Sequence, residues 1–186
     1  MSQPPTDDAE YSPQERQILI RLAHESITAR LQRRTLEMKP DSAHLAERRG
    51  AFTTIHVDGA LHGCIGYVVP VASLYQTIAE TAAAAAFEDP RFNPITSGEL
   101  PHLKVEISVL SLPKPVSAME VQVGRHGLIV SLGPRRGLLL PQVPGEYGWD
   151  RETFLCQTCI KAGLPPDSWQ HGALLEAFTA EVFGEL

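Results

Sequence analysis

Asp58-Gly59 constrains this chain more than any other pair of residues. Apolar, strand-forming segments flank it, Phe52–Val57 before and Ala60–Val69 after. The favoured two-residue hairpin turn needs positive φ at both central positions, which Asp and Gly tolerate, so the pair predicts an antiparallel hairpin. Simple pairing sets Val57 opposite Ala60, Ile55 opposite His62 and Thr53 opposite Cys64. The second arm carries Leu61-His62-Gly63-Cys64-Ile65-Gly66, a cysteine held between two glycines. Glycine weakens a strand and offers nothing to pack, so it marks a bulge or a close approach by a second backbone or a ligand.

The rest of the chain alternates helical and strand patterns. Ser12-Pro13-Gln14-Glu15 reads as a helix start: Ser12 caps, Pro13 suits the first helical position and Glu15 completes a capping box. That helix is expected to reach about Leu36, with Ile18, Leu22, Ile27 and Ala29 on the buried side. Lys39–Arg49 reads as a loop or a short helical turn. Ser73–Phe87 is a second helix whose alanines suit a close neighbour, and Glu88-Asp89-Pro90 ends it. Leu103–Leu110 alternates cleanly, with Leu103, Val105, Ile107 and Val109 on one face and Lys104, Glu106 and Ser108 on the other. Gly127–Leu132 and Leu138–Leu140 form a second hairpin about a turn at residues 133–137. A third helix follows Asp150, with Trp149 and Phe154 placed as a hydrophobic staple, and stops at Gly163 before Pro165-Pro166. Leu174–Phe183 reads as a last strand. Interspersed elements with two hairpins favour an α+β fold, with mixed or antiparallel sheets and about three helices, over a doubly wound parallel sheet. Residues 1–11, rich in Pro and Asp, read as a disordered tail ahead of a single domain over residues 12–186.

A chain of 186 residues, 43% hydrophobic and 20% charged, has the balance of a globular protein that buries one good core or two small subdomains. Its net charge of -6 argues against broad nucleic-acid or anionic-membrane binding. The first ten residues lack the apolar stretch of a secretion signal, and Ala82–Ala86 is too short to span a bilayer. Three cysteines, an odd count, fit a reducing compartment, so the cytoplasm is the expected location.

Cys64 is the sharpest candidate for chemistry. In a regular strand His62 and Cys64 share a face, roughly 7 Å apart along the backbone, and an imidazole nearby can activate a thiol. The competing reading is a small buried hydrophobe in the core. Gly63 and Gly66 would let a ligand or backbone approach. A metal held by His62, Cys64 and His56 is not expected, because in unbulged pairing His56 points to the other face. Glu106 becomes a general acid or base if its polar face lines a cleft, and an ordinary polar side of a strand if it meets solvent. Arg91, on the rigid turn Asp89-Pro90-Arg91-Phe92, suits a carboxylate or phosphate, or else a surface acid. Cys156-Gln157-Thr158-Cys159 lies beyond the first turn of its helix and has no second pair, so core packing is preferred to redox or zinc chemistry. The phosphate-loop, dinucleotide, hydrolase-elbow and zinc-protease signatures are missing.

Several ordered segments together resemble the AMMECR domain family, whose prokaryotic members are called AmmeMemoRadiSam system protein A. They are Asp58-Gly59-Ala60-Leu61-His62-Gly63-Cys64-Ile65-Gly66-Tyr67, residues 84–92, 100–110 and 135–143, Glu146-Tyr147-Gly148-Trp149-Asp150, and residues 159–165. The likeness runs from about Ser12 to Phe183. It implies an α+β fold with two intimately packed lobes and a context with Memo-like proteins, which resemble extradiol dioxygenases, and with radical S-adenosylmethionine proteins. It implies no particular reaction and names no cofactor. The family hexapeptide is usually Leu-Arg-Gly-Cys-Ile-Gly; His62 replaces a permanent, forked cation with a shorter ring that is often neutral. An anion site built on that arginine would here be weaker or pH-dependent, whereas a loop-capping role would tolerate the exchange. The candidate site is thus Cys64 and Glu106 as catalytic residues, with His62, Gly63, Gly66, Arg91 and Gln142 as binding residues and no metal. The expected function is a binding or accessory component. The alternative is an enzyme with a small-molecule cleft around Cys64.

Overall fold

Ser12 opens α1 (Pro13–Leu31) with both arms of a capping box: Glu15 N–H donates to Ser12 Oγ, and Ser12 N–H donates to the Glu15 carboxylate. The helix stops at Leu31, five residues before the expected end. Arg33 adopts φ 55, and the N–H groups of Arg33 and Arg34 close on the carbonyls of Arg30 and Ala29. This closing motif commonly uses glycine; with arginine in its place the stop leaves no mark in the sequence.

The computed structural model describes residues 9–37 and 39–185, which divide into two compact units. The first runs to Leu110 and includes the C-terminal stretch from Glu181; the second is Ser111–Ala180. The first unit holds α1, β1 (Ala51–Val57), β2 (Ala60–Tyr67), α2 (Leu74–Phe87) and β3 (Leu103–Leu110), with β8 (Ala180–Gly184) completing a sheet of order β2-β1-β3-β8. Asp58 and Gly59 take φ 50 and 80, as the expected hairpin turn requires. Ala51, Thr53, Ile55, Val105 and Ile107 are buried in one core with Leu19, Leu22 and Ile27 of α1 and Leu74, Ile78 and Ala82 of α2. Three threonines sit inside this apolar layer with their hydroxyls hydrogen-bonded: Thr53 and Thr81 hydroxyls lie 2.8 Å apart, Thr81 donates to the Thr77 carbonyl, and Thr77 donates to the Arg49 carbonyl at 3.5 Å.

Residues 1–8 of the expected tail lie outside the described residues. Tyr11 departs from that expectation: it is 1% exposed and stacks on His44 at 4.7 Å, while Glu10 N–H donates to Glu181.

In the second unit β4 (Lys114–Pro115), β5 (Gly127–Leu132), β6 (Arg135–Leu139) and β7 (Leu174–Phe178) form a sheet of order β4-β7-β5-β6. The β5–β6 turn is two residues, Gly133-Pro134, with Gly133 at φ 57, and not the five expected. Arg135, Arg136 and Gly137 are therefore strand residues. A third helix was expected after Asp150 and is found as α4 (Arg151–Lys161), with Asp150 accepting from Thr153 N–H at 2.8 Å. The single-turn α3 (Val143–Tyr147) is additional and too short for a helical period to reveal. Gly137 lets α4 close on the sheet: a Cβ there would stand 2.3 Å from Ala162 N. The expected last strand is two, β7 and β8, which belong to different sheets and separate at Thr179.

Candidate functional site

The hairpin's register decides where Cys64 points. Val57 pairs with Ala60 and His56 with Leu61, but Ile55 then pairs with Gly63, so His62 is an extra residue in β2. From there on the pairing is shifted by one: Cys64 faces Thr54, not Thr53. A one-residue slip moves every side chain to the opposite face. Thr53 is fully buried in the core, whereas Cys64 joins Phe52, Thr54 and His56 on the outer face and is half-buried. The core-thiol reading is thereby corrected, and so is the placement of His56 on the face away from Cys64.

The two glycines take different neighbours. Gly63 faces α2, where a Cβ would lie 2.0 Å from the Ala85 carbonyl oxygen. Gly66 faces outward beneath the Phe52 ring, 2.2 Å from a built Cβ. Both close approaches are made by the protein's own atoms.

β2 is an edge strand, and its outward backbone groups at Cys64 are covered by the turn after α2. Cys64 N–H donates to Asp89 Oδ2 at 3.0 Å, and Arg91 Nη2 donates to the Cys64 carbonyl at 3.4 Å. Asp89 and Arg91 are joined by a two-point ion pair, Nε to Oδ1 at 3.0 Å and Nη2 to Oδ2 at 2.7 Å. Together they stand where a further strand would hydrogen-bond. The Asp89 carboxylate is buried, and the Arg91 guanidinium holds its pKa far below the usual range, helped by the Cys64 and Arg91 N–H groups. Asp89 also pushes the Arg91 pKa up.

The thiol accepts from Thr54 Oγ1 at 3.1 Å. His62 Nε2 lies 2.9 Å from the Asn93 carbonyl oxygen, and its ring stacks on Phe92 with centroids 6.0 Å apart. The imidazole thus caps the loop after Arg91. Glu106 is opposite Thr54 on β3, so Cys64, Thr54 and Glu106 form one row across three strands. Gln142, in the second unit, is exposed at the residue preceding α3. Sequence reasoning missed Asp89 as the acceptor of the Cys64 N–H, and Thr54 as the partner of its thiol. An Asp-Pro step after a helix was visible only as a stop signal, and Thr54 is hidden by the bulge.

Cys159 is buried in the second core, where burial pushes its thiol pKa up; Cys156 is half-buried, and both are free. Among the described residues Glu10, His44 and Glu47 bring potential metal-ligating atoms within 4.8 Å of one another. Arg49 bridges both carboxylates, at 3.1 Å to Glu10 Oε2 and 2.9 Å to Glu47 Oε2, so the grouping reads as an ion-pair network.

These features define a class: an α+β protein with two antiparallel four-stranded sheets and a clamped cysteine hairpin on the edge of one of them. The AMMECR1 family model matches residues 20–183, and the chain belongs to the AMMECR1 family. A protein of Methanopyrus kandleri is 42% identical over 184 residues, covering 92% of this chain and 89% of its own. One from Methanocaldococcus jannaschii is 45% identical over 150 residues, 75% of each chain. The crystal structure of an uncharacterized protein from Pyrococcus horikoshii matches with a TM-score of 0.68 and 41% identity, covering 90% of this chain and 89% of that one. Among the described residues no helix is long and apolar enough to cross a membrane.

Proposed function

We propose that this protein is a binding or accessory component, with Memo-like and radical S-adenosylmethionine proteins as its partners. The observation that carries the reading is the commitment of His62 to the Asn93 carbonyl, which leaves Thr54 as the thiol's hydrogen-bond partner. A nucleophilic cysteine takes a base within hydrogen-bond reach, and the imidazole two residues away is turned to other work. Asp89 and Arg91 then make the Cys64 segment a rigid, sealed edge suited to presenting a surface. The expected exchange of arginine for His62 is tolerated on this reading, since the side chain caps a loop.

The partner assignment is tested by mixing the full chain with the two purified proteins and following complex formation by calorimetry. Cys64→Ser is expected to bind as the wild type does. Alkylation of Cys64, followed in a Cys156→Ser, Cys159→Ala background, is expected to proceed at the same rate in His62→Ala. Fast alkylation that is lost in His62→Ala would overturn the reading. It would favour the enzyme alternative, whose support is the row of Cys64, Thr54 and Glu106 on one half-buried face.

A further inference from the structure

The second unit carries an aromatic surface that the Cys64 site does not use. Tyr147 ends α3 and is 68% exposed, yet its ring is stacked on Trp149 with centroids 4.9 Å apart and planes 17° from parallel. The turn between them is fixed. Gly148 takes φ 64, and Trp149 N–H donates to the Pro144 carbonyl at 2.8 Å. Trp149 rests on the second core and anchors the pair. Met119 is 78% exposed, and Arg151 Nη1 donates to its carbonyl at 2.9 Å, which ties that segment to the start of α4. Tyr, Trp, Met and Arg are the residue types enriched at protein interfaces. Rigid aromatic rings give contact area with little ordering entropy. Trp149 is held by the core, whereas the Tyr147 ring stacked on it stays largely exposed.

The charges around it select a partner. Glu146, Asp150 and Glu152 flank the aromatic pair in sequence, and Glu120 adjoins Met119; all four are exposed. Asp150 caps α4 through Thr153, and Glu120 caps its own turn through Ser117, and both hydrogen-bonded carboxyls are held below the usual range. Glu146 directly precedes Tyr147 and Asp150 directly follows Trp149, so the exposed segments that carry the aromatic pair and Met119 hold four carboxylates against one cation, Arg151. An aromatic face within an acidic rim attracts a lysine or arginine side chain by the ring quadrupole and by charge together. The same rim repels nucleic acid and anionic membranes.

We propose that Tyr147, Trp149 and Met119 form the docking surface for a partner protein segment that presents a basic side chain beside an apolar one, the cation over Tyr147 and the apolar group against Met119. The inference stands on the second unit alone and does not depend on the state of Cys64.

The test uses the full chain, isotope-labelled for NMR, titrated with the peptide acetyl-Gly-Lys-Leu-Arg-Lys-Gly-amide and with a comparator carrying Glu at each basic position. The expected result is saturable shifts of the Tyr147 amide and the Trp149 indole with the basic peptide only, weakening as salt rises. Tyr147→Ala, and Glu146→Gln combined with Glu152→Gln, are each expected to weaken binding about tenfold. Either equal binding of the acidic comparator or no saturable shift at millimolar peptide would overturn the proposal. So would shifts that depend on protein concentration without peptide and vanish in Tyr147→Ala, which would assign the surface to a second copy of this chain. None of these outcomes alters the Cys64 alkylation result, so the two readings fail separately.

Discussion

Asp89 is 5% exposed and accepts from the Cys64 N–H, the Arg91 N–H and the Arg91 guanidinium. Its partner guanidinium is 56% exposed, so water screens the ion pair and the buried backbone acceptor role dominates. Asp89→Ala is expected to lower stability by about 2 kcal/mol and Arg91→Ala by clearly less, measured by urea unfolding. The sign of the pH effect follows from the lowered pKa. The carboxylate's contribution is complete above the unfolded value of about 3.9 and is lost as pH falls through the folded value. Unfolding curves from neutral pH down to strong acid should therefore be flatter for Asp89→Asn than for the wild type. The hexapeptide glycines separate by what they touch. Gly63→Ala drives a Cβ into the Ala85 backbone, which cannot yield without moving α2, and is expected to cost about 3 kcal/mol. Gly66→Ala meets the Phe52 ring and also the Ala51 carbonyl oxygen, 2.6 Å from a built Cβ, so a Phe52→Ala background should recover only part of its cost.

Helix starts and tight turns were legible in the sequence because their determinants are local. Ser12 with Glu15, Asp150 before α4, and Asp58-Gly59 each satisfy or shape groups within a few residues of themselves. Asp150→Ala removes the cap on Thr153 N–H and is expected to lower the midpoint of the unfolding transition that exposes Cys159. Gly137→Ala should act more strongly, because α4 packs its backbone against that strand position. The misread elements differ in cause. Arg33 ends α1 in a conformation that other residues rarely adopt, the Gly133-Pro134 turn is shorter than its polar surroundings suggest, and Thr179 divides a continuous apolar pattern between two sheets. The first two are local features without their usual residue signal, and the split at Thr179 depends on which sheet each half joins.

At the scale of the molecule the three cysteines report on different layers. Cys64 is half-buried on a sheet's outer face, Cys156 is half-buried on α4, and Cys159 is sealed in the second core with its thiol pKa raised by burial. Alkylation followed by mass spectrometry should label Cys64 in the native protein and Cys159 only as the second unit unfolds. Labelling of Cys159 at the rate of Cys64 under native conditions would contradict the packing of α4.

The sequence by itself determined the α+β class, the two hairpins and the segments that bear the family motifs, because hydrophobic period, capping and turn chemistry act over short stretches. The candidate site was legible as a set of residues: Cys64, His62, Glu106 and Arg91 were all visible. Their relations were not. Tertiary structure decided the extra residue at His62, the outward face of Cys64, the turn of the imidazole toward Asn93, and the clamp from Asp89. The physical reason is that the register of an edge strand sums contacts from its one neighbouring strand, from the helix packed on it and from whatever covers its free edge, and here the bulged register sets Gly63 against Ala85 and the Cys64 N–H on Asp89.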